Sequence, residues 1–139
     1  MTLNPYLAFN GNCKEAMMFY KDCLGGELMM QTVAESPNAA QMPPEAQQGI
    51  MHARLTKDGV DILMASDGMG NEITAGSNIS LSLNCTSDEE IKSLFEKLSA
   101  DGNVTMPLAD QFWGATFGML TDKFGMHWML NYQKTHLPA

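Results

Sequence analysis

Two helix-start signatures stand 75 residues apart in the chain, Asn12-x-x-Glu15 and Ser87-x-x-Glu90. In such a box the N-cap side chain and the Glu satisfy backbone donors reciprocally. After the first, Ala16, Phe19, Tyr20 and Cys23 fall at helical spacing and Gly25-Gly26 stops the run. After the second, Ile91, Leu94, Phe95 and Leu98 make the same stripe and Gly102 ends it. The shift sets Glu15 on Glu90, Phe19 on Leu94 and Tyr20 on Phe95. Repetition of a whole supersecondary unit limits the architecture more than any single motif does.

Strand signals surround each helix. Residues 3–9 form a short strand that Pro5 permits only where no ladder N–H is needed. Residues 27–34 follow the first helix, and residues 49–56 and 60–66 form a hairpin around Lys57-Asp58-Gly59. In the second half Ile79, Leu81, Leu83 and Cys85 alternate with polar residues, and residues 104–109 follow the second helix. The last hairpin pairs residues 113–120 with 126–130 around Thr121-Asp122-Lys123-Phe124-Gly125, where Gly supplies a positive φ and Asp bonds the backbone ahead of it.

The pattern is βαβββ twice, an α+β fold. It predicts a single domain over 1–139, with modules 1–66 and 77–132 joined by a Gly-rich linker at 67–76. Residues 36–48, with three prolines and no period, read as a mobile loop. Each half has a sheet with one face under its helix and the other free. Two such sheets side by side are expected to form a curved mixed-sheet cup.

Composition excludes several classes of function. A net charge of -8 and a pI near 4.6 lack the basic footprint that nucleic acid or an anionic membrane requires. No leader and no long apolar run stand out, which predicts a cytoplasmic protein. Cys13, Cys23 and Cys85 lack metal-site or disulfide spacing and read as buried thiols.

The candidate chemistry is sparse. His52 and Arg54 share a strand face, and with His127 they could bind an anion or move a proton; an ordinary strand histidine and surface arginine are the alternative. His136 falls in the polar tail. Trp113 and Phe117 would stack on a ligand or belong to the core, whereas strand parity sends Trp128 towards the helices. Leu7 and Phe9 share one parity and are expected to floor the cup. Met17, Met18, Met51 and Met119 read as core filler, while Met64, Met69 and Met129 could make an adaptable lining. No carboxylate pair, Ser-His-Asp order, P-loop or dinucleotide fingerprint occurs.

The segments PYLAFNGNCKEAMMFYKDCLGGE, ILMASD and FWGATFGMLTDKFGMHWML, in this order of elements, resemble the PhnB-like branch of the vicinal oxygen chelate superfamily. That superfamily includes glyoxalase I, extradiol dioxygenases and bleomycin-resistance proteins. The resemblance spans nearly the whole chain and implies their two-module fold. The superfamily's enzymes hold a divalent metal through four His, Glu or Gln ligands, and these positions fall here on Pro5, on Leu63 or Met64, on Asn78 and on Met129. Of these only Asn78 offers an oxygen donor, so the expected cup has neither metal nor cofactor.

The resulting expectation is a PhnB-like small-molecule-binding homodimer whose cup is lined by Phe9, His52, Arg54, Asn78, Trp113, Phe117 and Met129. The rivals are a lyase or dioxygenase-type enzyme with an unusual metal site using His52 or His127, and a drug-binding protein of the bleomycin-resistance kind. A structural or interaction role would remain if nothing binds.

Overall fold

Each helix lays its apolar stripe across one sheet, and that contact assigns the two faces of every strand. The computed structural model describes residues 1–37, 39–68 and 72–134. Its elements are β1 (Tyr6–Phe9), α1 (Cys13–Leu24), β2 (Glu27–Thr32), β3 (Ile50–Lys57) and β4 (Val60–Asp67), then β5 (Leu81–Asn84), α2 (Asp88–Ser99), β6 (Asn103–Asp110), β7 (Ala115–Thr121) and β8 (His127–Gln133). They fall into two compact units, Met1–Thr74 and Ala75–Ala139. The first holds a sheet in the order β1-β4-β3-β2 and the second a sheet in the order β5-β8-β7-β6. In each, the first strand runs parallel to the fourth and the other pairs are antiparallel. The chain thus adopts the α+β fold of two βαβββ modules that its repeat predicts.

In the first unit α1 lies against β2, β3 and β4. The cross-strand rows on that side are Met30, Ala53, Ala65 and Leu7, then Leu28, Leu55 and Leu63. They meet Cys13, Ala16, Met17, Tyr20, Cys23 and Leu24, all buried on the helix. Each large side chain buried here contributes about 1.5–3 kcal/mol. Phe9 is only 4% exposed and Leu7 9%. Both point to this side, so the expected apolar floor is instead the helix-covered core. Met18, expected in the core, is 48% exposed.

The expected capping box at Asn12 does not form: its side chain makes no cap hydrogen bond. Asp67, at the end of β4, takes its place. Asp67 Oδ1 accepts from the backbone N–H of Gly11 (2.9 Å) and of Cys13 (3.0 Å), and Oδ2 accepts from that of Ile50 (2.8 Å). One buried carboxylate therefore ties the ends of β4, β3 and α1 together. Burial and the charge of Asp67 push the Cys13 thiol up to about 12.

The segment between β2 and β3 has local structure at its described residues. It makes short 3₁₀ turns at Val33–Glu35, Ala39–Gln41 and Pro44–Ala46. Gln47 Nε2 donates to the carbonyls of Ala39 (2.6 Å) and Met42 (3.1 Å).

In the second unit α2 lies against β6, β7 and β8. Leu81, Trp128, Leu120 and Val104 form one row on that side. At Gly118 a Cβ would come within 2.8 Å of the Phe95 ring and 2.9 Å of Leu108, so the helix side chain packs on bare backbone. The box at α2 does form, with Ser87 Oγ accepting from Glu90 N–H (3.1 Å) and Glu90 from Thr86 N–H (2.8 Å). Burial and the nearby Glu90 charge push the Cys85 thiol up to about 11. At the β7–β8 turn, Asp122 Oδ1 accepts from Phe124 N–H and Met126 N–H, and Oδ2 accepts from the indole Nε1–H of buried Trp128 (2.8 Å). Gly125 closes the turn at φ 88°. Cys13, Cys23 and Cys85 are buried and form no disulfide. Among the described residues no helix is long and apolar enough to cross a membrane.

Candidate functional site

The helix covers one face of each sheet, and the side chains of the other face are the ones available to a ligand. In the first unit the uncovered row runs Tyr6, Met64, Arg54 and Met29 across β1, β4, β3 and β2. His52 lies two residues from Arg54 on the same face, opposite Gln31. Tyr6 OH and His52 Nδ1 are 3.1 Å apart, and their rings stack with centroids at 5.8 Å. Arg54 Nε lies 3.5 Å from Asp61 Oδ1, which also accepts from Thr56 Oγ1–H at 2.9 Å. The Arg54 side chain is 45% exposed. A hydrogen-bonded phenol–imidazole pair thus stands beside a guanidinium held from one edge, an arrangement suited to an anionic group.

The second unit's uncovered face has a different chemistry. Ser82, Met129, Met119 and Met106 are register partners across β5, β8, β7 and β6. Phe117 lies two residues from Met119 on β7, and Trp113, half-buried just before the strand, meets it edge-on at 6.0 Å. Phe112 also meets Trp113 edge-on, at 5.0 Å. Met119, expected as core filler, therefore belongs to this open face. Trp128 faces the helix, as its parity predicts.

His127 is on this face but occupied. Nε2 donates to the Gly76 carbonyl (2.8 Å), which leaves Nδ1 of the neutral ring to accept from Thr121 Oγ1–H (2.9 Å). It anchors the segment before β5 to the β7–β8 turn.

The sequence-predicted residues are thus distributed as follows. His52 and Arg54 come together on the first unit's open face, and Trp113, Phe117 and Met129 come together on the second unit's. Phe9 joins neither, because its strand parity puts it under α1. Asn78 is exposed and precedes β5. Met69 and His136 lie outside the described residues. Tyr6 was missed. Its signal was the alternation of Tyr6 and Ala8 with Leu7 and Phe9, two sets that are both apolar enough to claim the core.

The divalent-metal ligand positions of the resembling enzymes do not fit such an ion here. Pro5 has no donor, Leu63 is buried on the helix side, and Met64 and Met129 offer thioethers, whereas these enzymes use oxygen and imidazole donors. Among the described residues no three His, Cys, Asp or Glu side chains are grouped to share an ion. The remaining perturbed groups lie on the second unit's rim. There the hydrogen bond from Lys134 Nζ (2.9 Å), and a second from Thr116, hold the Asp110 carboxyl below the usual carboxylate range.

Comparison with known proteins places this geometry. Residues 1–131 match the sequence model of the family described as 3-demethylubiquinone-9 3-methyltransferase. The chain is 38% identical over 143 residues to the YjdN protein of Escherichia coli K12, covering 96% of this chain and 97% of that one. Among solved structures, protein PA1353 from Pseudomonas aeruginosa superposes with a TM-score of 0.86 at 42% identity, covering 97% and 99% of the two chains. A PhnB protein from Bacillus cereus gives 0.77 at 29%, covering 95% and 99%. A glyoxalase/bleomycin resistance protein/dioxygenase family enzyme from Burkholderia phytofirmans shares the fold, at 0.61 and 12% identity over 92% and 96%.

Proposed function

The chain belongs to the PhnB-like family described as 3-demethylubiquinone-9 3-methyltransferase, within the glyoxalase/bleomycin resistance/dioxygenase superfamily, and from that premise we propose that it binds a small organic anion. The observation that carries this reading is the Tyr6–His52 pair standing beside Arg54 on an uncovered sheet face. In this reading Arg54 and His52 take the ligand's carboxylate or phosphonate. Neither sheet is the doubly wound parallel type that carries nucleotide cofactors, so the methyl-transfer chemistry in the family's description is not part of the proposal.

The three buried thiols suit a reducing compartment, and we place the protein in the cytoplasm. We also read it as a homodimer. Strand β6 is an edge strand, whose outward backbone N–H and C=O groups need cover. Light scattering should give twice the chain mass; a monomer mass would remove this part.

The test is a screen of aromatic carboxylates and phosphonates, read by thermal shift and by isothermal titration calorimetry. A binder should lose about tenfold or more in affinity on His52→Ala or Arg54→Met, equivalent to about 1.4 kcal/mol or more. Binding indifferent to both substitutions would defeat the assignment. So would tight binding of S-adenosylmethionine with methyl transfer.

A further inference from the structure

The row Met106–Met119–Met129 is a chemical oddity that anion binding does not use. Met119 pairs with Met106 on one side and with Met129 on the other. Directly paired residues on neighbouring strands send their side chains to the same face with Cα atoms about 4.5–5.5 Å apart. The three thioethers therefore stand abreast over three strands. Met119 and Met129 are half-buried and Met106 is 42% exposed, so the group is reachable from solvent.

A local irregularity creates the row. Val104 pairs with Leu120 on the helix-covered side, and plain alternation would put Met106 on that side too. The register shifts between Val104 and Met106, so the extra residue, Thr105, turns Met106 to the open face. Without that bulge Met106 would point away from Met119.

The first unit offers an internal control. Its open row also carries two methionines, Met29 and Met64, but Arg54 stands between them. A guanidinium there repels a cation. The second unit's row has no charged member. His127, two residues from Met129 on the same face, has both ring nitrogens engaged. Apart from the neutral Ser82 hydroxyl at the end of the row, the donors are thioethers, which suit soft copper(I) rather than hard ions such as magnesium. The net charge of -8 favours a cation in general.

We propose that Met106, Met119 and Met129 form a three-thioether site for copper(I) on the open face of the second sheet. Methionine's unbranched side chain lets the flanking two lean towards the central one. The site stands apart from the organic-anion reading: it needs neither His52 nor Arg54.

The probe is copper(I) itself, delivered to the untagged protein as its weakly held acetonitrile complex under anaerobic conditions with ascorbate. One equivalent per chain should transfer, and X-ray absorption should find sulfur as the only heavy neighbour. Met106→Leu, Met119→Leu and Met129→Leu keep the side-chain volume and should leave the thermal midpoint nearly unchanged. Each should weaken copper binding by at least about tenfold, the loss that even an outer-shell partner costs, and the triple variant should abolish it. Met29→Leu/Met64→Leu should bind copper like the parent. Failure to transfer copper would overturn the proposal, as would transfer that survives in the triple variant or disappears on Cys13→Ala or Cys85→Ala. His52→Ala should leave copper binding intact, which keeps this result distinguishable from a failure of the anion site.

Discussion

The two units share one strand order and one helix placement, yet each closes its sheet with a buried aspartate used differently. Asp67 reaches across the first unit, joining the end of β4 to the starts of α1 and β3, with two of its three bonds spanning more than fifty residues of sequence. Asp122 works within the β7–β8 turn and its neighbouring indole. The first arrangement makes a helix start depend on a distant strand, and the second makes a turn depend on itself. The helix starts show the same division. Ser87 caps α2 from its own sequence, whereas Asn12 leaves that work to Asp67.

The largest expected effect would test this contrast directly. Asp67→Ala orphans the N–H groups of Cys13 and Ile50, both in buried bonds, and that of Gly11, at about 1–3 kcal/mol for each buried donor. The expected loss is about 3 kcal/mol or more. Asp122→Ala orphans one buried donor, the indole, and two turn amides that water can reach, for about 2 kcal/mol. Urea unfolding followed by circular dichroism measures both, and an equal or larger loss at Asp122 would break the contrast. Both tryptophans, Trp113 and Trp128, belong to the second unit. Their fluorescence reports whether Asp67→Ala also weakens that half.

Next in size is Gly118→Ala, for which the first unit has no counterpart. The new Cβ would press on Phe95, Leu108 and the Leu108 backbone, and overpacking of this kind costs about 1–3 kcal/mol. A neutral result would mean that α2 moves away without loss.

The thiols sharpen the comparison through pH. Both are raised from the ordinary 9.0, Cys13 to about 12 and Cys85 to about 11. The folded chain therefore holds these protons more tightly than the unfolded one. Stability is unaffected below about pH 9 and falls as pH rises above it, with the Cys13 contribution continuing to about pH 12. Cys13→Ala should flatten this alkaline slope more than Cys85→Ala. The reverse ranking would place the drier thiol in the second unit.

The smallest effects separate the two helix starts. Ser87→Ala should cost about 1 kcal/mol, whereas Asn12→Ala should fall within about 0.5 kcal/mol, because its side chain makes no cap bond. Matching losses would show that Asn12 caps α1 in solution after all.

Much of the fold was legible because it is written locally. Helix stripes repeat every three or four residues, Asp-Gly and Asp-x-x-Gly mark turns, and a shift of 75 makes the repeat visible. His52 with Arg54, and Phe117 with Met129, could be grouped because strand parity is a local property once the strands are found. Phe9 and Tyr6 were harder. Both alternating sets of β1 are apolar enough to be core, and only the parallel pairing with β4 and the position of α1 decide between them.

By itself, then, the sequence determined two βαβββ modules, their helix-facing stripes and the turn chemistry of the last hairpin. Each of these follows from residues within a dozen positions of one another. Tertiary structure decided which face of β1 is open, that Asp67 rather than Asn12 caps α1, and that Tyr6 meets His52 across 46 positions. It also decided that a bulge at Thr105 sets Met106 beside Met119. The physical reason is the same in each case: register between distant strands is chosen by the whole core's packing, and no short-range period records that choice.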